Sequence, residues 1–203
     1  MFGMGAVYAT RVGLSSNQTA VFLTAPIVGA VAFQWPIGIL ADRFPRRSLI
    51  ALVAIAATII PIVMTQVSDS SLAGTLVLFV LGGTMFPLYS LTIAHTNDWI
   101  PVSKMVAGSS SLVMVNGAGA IVGPLLTAVL FAQFGTGVYY FVLAAAHGLV
   151  AVYVGYRIMV KDPMPMDRQR AWVPFSSRST GAVAIATRPL RVRQKPKRRS
   201  EQR

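Results

Sequence analysis

The chain has 203 residues, of which 54% are hydrophobic and only 12% are charged, and its mean hydropathy is +0.62. Soluble domains carry about a quarter charged residues, so this composition indicates that lipid rather than water is the main solvent. The absence of cysteine excludes a disulfide framework and a cysteine-bound metal site. The net charge of +12 is concentrated at one end, because residues 157–203 hold 13 of the 18 Lys and Arg.

The first residues form a short apolar run. Residues 1–10 are too few to cross a bilayer, and Arg11 ends the run. A signal peptide would begin with basic residues and end in a small-residue cleavage site, and this segment shows neither. We therefore interpret residues 1–11 as the end of a transmembrane helix. We expect a natural short gene product, an N-terminal truncation or a misplaced start.

Five longer apolar segments follow. Each holds about 20 or more residues with no charged residue in its interior, which is enough for a hydrocarbon core of about 30 Å. Lipid offers no partner for a backbone N–H or C=O, so we expect each segment to be a helix. The predicted spans are 18–41, 48–67, 72–96, 104–134 and 137–160. Residues 1–160 are thus predicted to form one transmembrane bundle, multi-pass in a membrane.

The loops between these spans predict the orientation. Arg43, Arg46 and Arg47 lie between the first two spans, and Lys104 begins the fourth on the same side, where the basic tail also starts. On the other side the only basic residue is Arg11. By the positive-inside rule the arginine-rich side is cytoplasmic. We predict a plasma membrane protein with a cytoplasmic C-terminus.

The most specific local pattern is GILADRFPRR, which begins at Gly38 in the turn between the first two spans. Asp42 lies where one helix ends, and Arg43, Arg46 and Arg47 follow it directly. Such a carboxylate can cap a helix N-terminus or pair with an arginine. The cluster is therefore a candidate cytoplasmic gate that latches two helix bundles. The spacing leaves an alternative open, in which the arginines only set topology and bind lipid phosphates.

This pattern resembles the cytoplasmic motif G-x-L-A-D-R-x-G-R-R/K of the major facilitator superfamily, with Pro45 in place of the usual Gly. Phe86–Asp98, Trp172–Pro189 and the segment around Arg11 resemble the C-terminal half of its YcaD-like bacterial branch. The resemblance implies an all-α integral membrane fold: a partial six-helix bundle of one truncated helix and five transmembrane helices. It also implies alternating access, and a missing N-terminal half or second bundle as partner.

Polar residues inside the spans are candidates for a substrate pathway, because such groups face the bundle or a water-filled cavity. Gln34, Tyr89 and Asn116 are the residues that we select on this ground. The alternative for Gln34 and Asn116 is a structural hydrogen bond between helices, and for Tyr89 ordinary packing. His95 and Asp98 are a candidate protonation pair, although an interfacial cluster that ends the helix is the favoured interpretation.

The fourth span carries a pattern of small residues. Gly119 and Gly123 form a small-xxx-small pair followed by Pro124, which predicts close helix packing. The run resembles the G-x-x-x-G-P core of an antiporter motif of the superfamily. The glycines that usually trail this core are replaced by Thr127 and Ala128. We therefore predict helix packing and a flexible helix here, and we infer no antiport from the run.

The remaining residues, 161–203, are rich in proline and strongly basic. They are predicted to be a disordered cytoplasmic tail that adheres to anionic lipid. Aromatic stacking groups are absent from its terminal run, so no nucleic-acid partner is expected. The chain shows no nucleotide-binding loop, paired carboxylates or metal-ligand spacing, so we expect no enzyme, no cofactor and no metal.

Two functions remain at this point. The leading hypothesis is secondary active transport of a small solute by alternating access, as half of a transporter, with the substrate unspecified. The alternative is a non-transporting membrane remnant, or a scaffold that presents its polybasic tail to lipids or to a partner. A second bundle is needed for the first, because one incomplete bundle has nothing to move against.

Overall fold

The computed structural model describes residues 2–160, and nearly all of them lie in helices. Two short 3-10 turns, Val102–Lys104 and Thr136–Val138, precede the last two α-helices. The six α-helices are Phe2–Arg11 (α1), Ser16–Arg43 (α2), Arg46–Met64 (α3), Leu72–Trp99 (α4), Met105–Phe134 (α5) and Tyr139–Val160 (α6). Within 2–160 there is no β-strand.

Helices α2 to α6 are each long and apolar enough to cross a membrane. Helix α1 has 10 residues, so it is about 15 Å long and covers only half of a bilayer core. The predicted fold of one short helix and five transmembrane helices is therefore confirmed. The helix bounds differ by a few residues from the predicted spans, because several helices continue into polar residues beyond the apolar run. The predicted disordered tail, 161–203, lies outside the described residues.

Local sequence explains where α2 begins and ends. The side chain of Ser15 accepts from the backbone N–H of Gln18, and the Gln18 side chain accepts from the backbone N–H of Ser15 at 2.9 Å. This reciprocal capping box satisfies two N–H groups that the first turn leaves unpaired. At the other end only Phe44 and Pro45 connect α2 to α3, with φ of −122° and −56°. The turn needs no positive φ, so proline is accommodated where the resembling motif has glycine.

Glycines let α2 and α4 pack closely. A Cβ added to Gly29 in α2 would overlap the carbonyl oxygen of Phe79 in α4. A Cβ added to Gly82 in α4 would likewise overlap the carbonyl oxygen of Pro26 in α2. Because the two backbones touch without a side chain between them, this pair forms the tightest interface of the bundle.

Two clusters of buried side chains lie at opposite ends of the bundle. We call the end where α2 gives way to α3 the arginine-rich end, and the other end the outer end. The cluster at the outer end contains Tyr8, Ala9, Phe22, Met64, Leu78, Leu81, Phe131, Tyr139 and Tyr140. The cluster near the arginine-rich end contains Ile37, Ala41, Leu49, Ile50, Val53, Ala54, Leu88 and Leu91.

Helix α5 lies at the edge of this bundle. Its buried residues are Thr127 and Phe131, both near its C-terminal end. A Cβ added to Gly119 or Gly123 would meet no atom of residues 2–160 within 4 Å, and Pro124 is exposed. Residues 2–160 therefore leave Gly119, Gly123 and Pro124 uncovered, and helix packing at these positions stays a prediction. These positions are uncovered because α5 joins the bundle only beyond them.

Candidate functional site

The arginine-rich end holds a buried ion pair between α3 and α4. Nη1 of Arg46 donates to both carboxylate oxygens of Asp98, at 2.8 and 2.7 Å, and to the carbonyl oxygen of Ala94 at 3.3 Å. The two charged side chains are only 2% and 1% exposed. Charge-assisted hydrogen bonds of this length are the strong kind, so the pair holds the start of α3 against the end of α4.

Helix dipoles make this placement unusual. Arg46 is the first residue of α3 and Asp98 is in the last turn of α4. A helix N-terminus carries partial positive charge and a C-terminus partial negative charge, so each residue has the sign that its own helix end disfavours. The two side chains therefore depend on each other, and removal of either would leave a buried charge that its helix also repels.

Asp42 lies beside this pair at the surface. Its Oδ1 is 3.9 Å from Nη2 of Arg46, and its side chain is 46% exposed. Arg43, in the last turn of α2, is exposed as well, whereas Gly38 is buried in the bundle. The motif predicted as a gate thus has two parts: Asp42 and Arg43 face outward, and Arg46 is enclosed.

Arg47 also points inward. It is 6% exposed, and its Nη1 donates to the carbonyl oxygen of Arg157 at 3.1 Å. This bond joins the first turn of α3 to the last turns of α6. Arg46 and Arg47 therefore connect α3 to two different helices of the same bundle.

His95 and Asp98 were predicted as a candidate protonation pair. The structure pairs Asp98 with Arg46, and the imidazole of His95 meets the ring edge of Trp99, with 6.4 Å between ring centroids. The protonation role of His95 stays a prediction. The ion pair of Asp98 with Arg46 was not predicted. The two residues are 52 positions apart, so no local sequence pattern indicates their contact.

The predicted pathway residues lie on three different helices. Gln34 in α2 is half-buried, Tyr89 in α4 is 45% exposed, and Asn116 in α5 is exposed. The side chains of Tyr89 and Asn116 therefore lie at the surface of the bundle formed by residues 2–160. A role for the three in a solute pathway stays a prediction.

A second polar site at the outer end was missed. Asp69, in the loop between α3 and α4, accepts hydrogen bonds from the hydroxyls of Tyr8, at 2.8 Å, and of Tyr140. The ring of Tyr8 stacks on that of Tyr139, with 4.5 Å between centroids. These contacts join α1, the loop and α6 beside a cavity of about 580 Å³. The available signal was a single acid in an otherwise uncharged outer loop.

No ligand set for a metal ion is evident in the described range. Residues 2–160 contain no group of three His, Asp or Glu side chains placed to hold one. At the arginine-rich end, Arg46 pairs with Asp98 of α4 and lies near Asp42 of α2.

The family model described as Major Facilitator Superfamily matches residues 1–198. The protein named "Uncharacterized MFS-type transporter YcaD" from Escherichia coli K12 / DH10B is 26% identical over 145 residues. The protein of the same name from Escherichia fergusonii is 24% identical over 148 residues. Each alignment covers 71% of this chain and 37% of the relative.

The chain spans little more than a third of the length of these relatives. No solved structure matches the chain.

Proposed function

Because the chain belongs to the major facilitator superfamily, we propose that it works in secondary active transport of a small solute. In this proposal the bundle of α1 to α6 is the C-terminal half of a transporter and rocks against a second bundle. A solute site then lies between the two bundles, near the middle of the membrane. The chain would supply no chemistry of its own, in line with a role as a transporter and not an enzyme.

The buried ion pair of Arg46 and Asp98 carries this proposal. A pair whose members each oppose a helix dipole is a poor way to gain stability, since desolvation offsets much of the attraction. Such pairs are well suited to fix one arrangement of helices and to release another. We infer that it holds α3 and α4 as one rigid unit at the arginine-rich end.

Asp42 and Arg43 have the complementary role in this scheme. They lie next to the rigid unit, and both present charged groups at the surface. A second bundle with groups of opposite charge would form contacts with them when the arginine-rich end closes. The gate proposed from the motif is thus divided into an enclosed anchor, Arg46 and Arg47, and an exposed contact, Asp42 and Arg43.

The uncovered face of α5 supports a second bundle. Asn116, Gly119 and Gly123 lie on a helix long and apolar enough to cross the membrane, but residues 2–160 leave this stretch uncovered. Small residues allow a transmembrane helix to approach within backbone contact. Since the relatives are much longer than the chain, we propose that the missing N-terminal half packs here.

The basic residues at the two ends of the bundle support an orientation in the membrane. Arg46, Arg47, Lys104 and Arg157 belong to the arginine-rich end, and Arg11 belongs to the outer end. The positive-inside rule therefore supports a cytoplasmic C-terminus. The bacterial relatives support a location in the inner membrane. Reporters fused after Arg47 and after Arg203 would both read as cytoplasmic, and opposite readings would contradict the orientation.

Uptake into proteoliposomes tests the proposed transport. The chain would be reconstituted alone and with the part of the Escherichia coli relative that lies outside the alignment, with and without a pH gradient. We expect uptake of at least one small solute only when both parts are present. Uptake by neither preparation across charged, zwitterionic and neutral solutes would contradict the proposal.

A further inference from the structure

A second cavity, of about 510 Å³, lies between α3, α4 and α6 at the arginine-rich end. Residues from all three helices line it. Among residues 2–160 the lining includes two arginines, one histidine and no acid. The lining residues that matter here are Arg47, Ile50, Leu149, Val150, Tyr153 and Arg157. It is separate from the proposed solute route, which would run between two bundles.

The two ends of this cavity differ in polarity. On α6, Leu149 and Arg157 are eight residues apart, which places them about 12 Å apart along the helix axis. The same order holds on α3, where Arg47 is nearer the helix end than Ile50. One end of the cavity is therefore cationic and lies near the helix ends, and the other end is apolar.

The apolar end opens sideways. Leu149 is 74% exposed and Tyr153 is 61% exposed, and both lie on α6, a helix long enough to cross the membrane. An acyl chain in the surrounding lipid would meet this wall directly. The cavity therefore does not enclose a water-soluble ligand on all sides.

The cationic end is held in place. The carbonyl oxygen of Arg157 accepts from Arg47, which fixes the Arg47 guanidinium beside the last turns of α6. Among the described residues no carboxylate lies within 4.0 Å of the Arg157 guanidinium. An anion at this end would lie beside the guanidinium groups of Arg47 and Arg157, which favour negative charge.

From this arrangement we propose that the cavity binds one anionic phospholipid. Its phosphate lies between Arg47 and Arg157, and the first part of an acyl chain lies along Ile50, Val150 and Leu149. Basic sites between transmembrane helices are suited to such headgroups. The proposal requires only that this end of the bundle lies at a membrane surface, and it holds whether or not the protein transports a solute.

Thermal unfolding of the full chain in non-ionic detergent tests the proposal. Phosphatidylglycerol would be titrated at roughly 0.5 M salt, where the Debye length is only a few Å. Nonspecific electrostatic attraction between the basic tail and the lipid is then weak. We expect a saturable rise in the unfolding temperature, because a ligand that binds only the folded state stabilises it. Phosphatidylcholine with the same acyl chains should give a much smaller rise.

Variants locate the site. Arg157→Gln keeps the backbone carbonyl that holds Arg47, and it should lower the affinity for phosphatidylglycerol about fivefold. Arg157→Lys keeps the charge and should retain most of the affinity. Lys104→Gln on the same face, and Arg199→Gln in the tail, remove the same charge elsewhere and should leave the affinity unchanged.

Leu149→Gln provides an independent variant, since this exposed residue can be replaced without disturbing the core. It should lower the affinity for phosphatidylglycerol, because the acyl chain loses an apolar contact. Wild-type affinity in both Arg157→Gln and Leu149→Gln would overturn the proposal. An equal rise with phosphatidylcholine would also overturn it, and an equal rise with glycerol phosphate would show a site for a free anion and not for a lipid.

Discussion

Both carboxylate oxygens of Asp98 accept hydrogen bonds from the same guanidinium nitrogen of Arg46, at 2.8 and 2.7 Å. The contact is almost completely removed from solvent, since the two side chains are 1% and 2% exposed. It therefore acts as a joint between the end of α4 and the start of α3. The neighbouring Asp42 adds a weaker contact, with 3.9 Å between the nearest atoms.

Asp98→Asn is expected to destabilise the folded chain by about 3–5 kcal/mol, because it leaves the guanidinium of Arg46 buried without its main counter-charge. Thermal unfolding in detergent would measure this loss. The double variant Arg46→Met, Asp98→Leu should recover most of it, since neither charge is then buried. A loss in Asp98→Asn no larger than that in Asp42→Asn would contradict the assigned role of the pair.

Asp42→Asn is expected to separate stability from transport. Its side chain is nearly half exposed, and its Oδ1 is 3.9 Å from Nη2 of Arg46, so the change in stability should stay below about 1 kcal/mol. Uptake by the chain reconstituted with a second bundle should fall, because the exposed gate contact is lost. Lys104→Gln serves as the charge control on the same face. Undiminished uptake in Asp42→Asn would remove Asp42 from the proposed gate.

Tyr140→Phe tests the outer end. The hydroxyl of Tyr140 donates to Asp69, and a hydrogen bond to a charged group contributes about 1.5–3 kcal/mol. We expect a loss of stability in that range, measured by unfolding in detergent. Tyr156→Phe is the matched control, because Tyr156 is 59% exposed and its replacement should have little effect. Equal losses in the two variants would show that Asp69 does not tie α6 to the loop.

Gly82→Ala and Gly117→Ala are expected to have opposite effects. A Cβ on Gly82 would overlap the carbonyl oxygen of Pro26, so α2 and α4 must separate at a cost of about 1–3 kcal/mol. A Cβ on Gly117 would meet no atom of the described residues within 4 Å. There the better helix propensity of alanine should stabilise by about 0.5–1 kcal/mol. The same sign of change in both variants would contradict the close packing of α2 and α4.

Much of the fold was predictable from local sequence. Length and apolar content identify α2 to α6, since any helix that crosses lipid must bury about 20 apolar residues. The site was only partly predictable. Arg46 was selected from its motif and Asp98 from its position near a helix end, but their pairing was missed. Asp69 was not selected at all, because a single acid in a loop carries no pattern.

The apolar helices of residues 2–160 and the family motif were therefore determined by the sequence alone. Each depends on neighbouring residues and on the lipid that surrounds them. Only the tertiary structure decided that Arg46 meets Asp98, that Asp69 meets Tyr8 and Tyr140, and that the middle of α5 stays uncovered. The physical reason is that these contacts depend on how separate helices are tilted and rotated against each other, and packing between helices sets those angles.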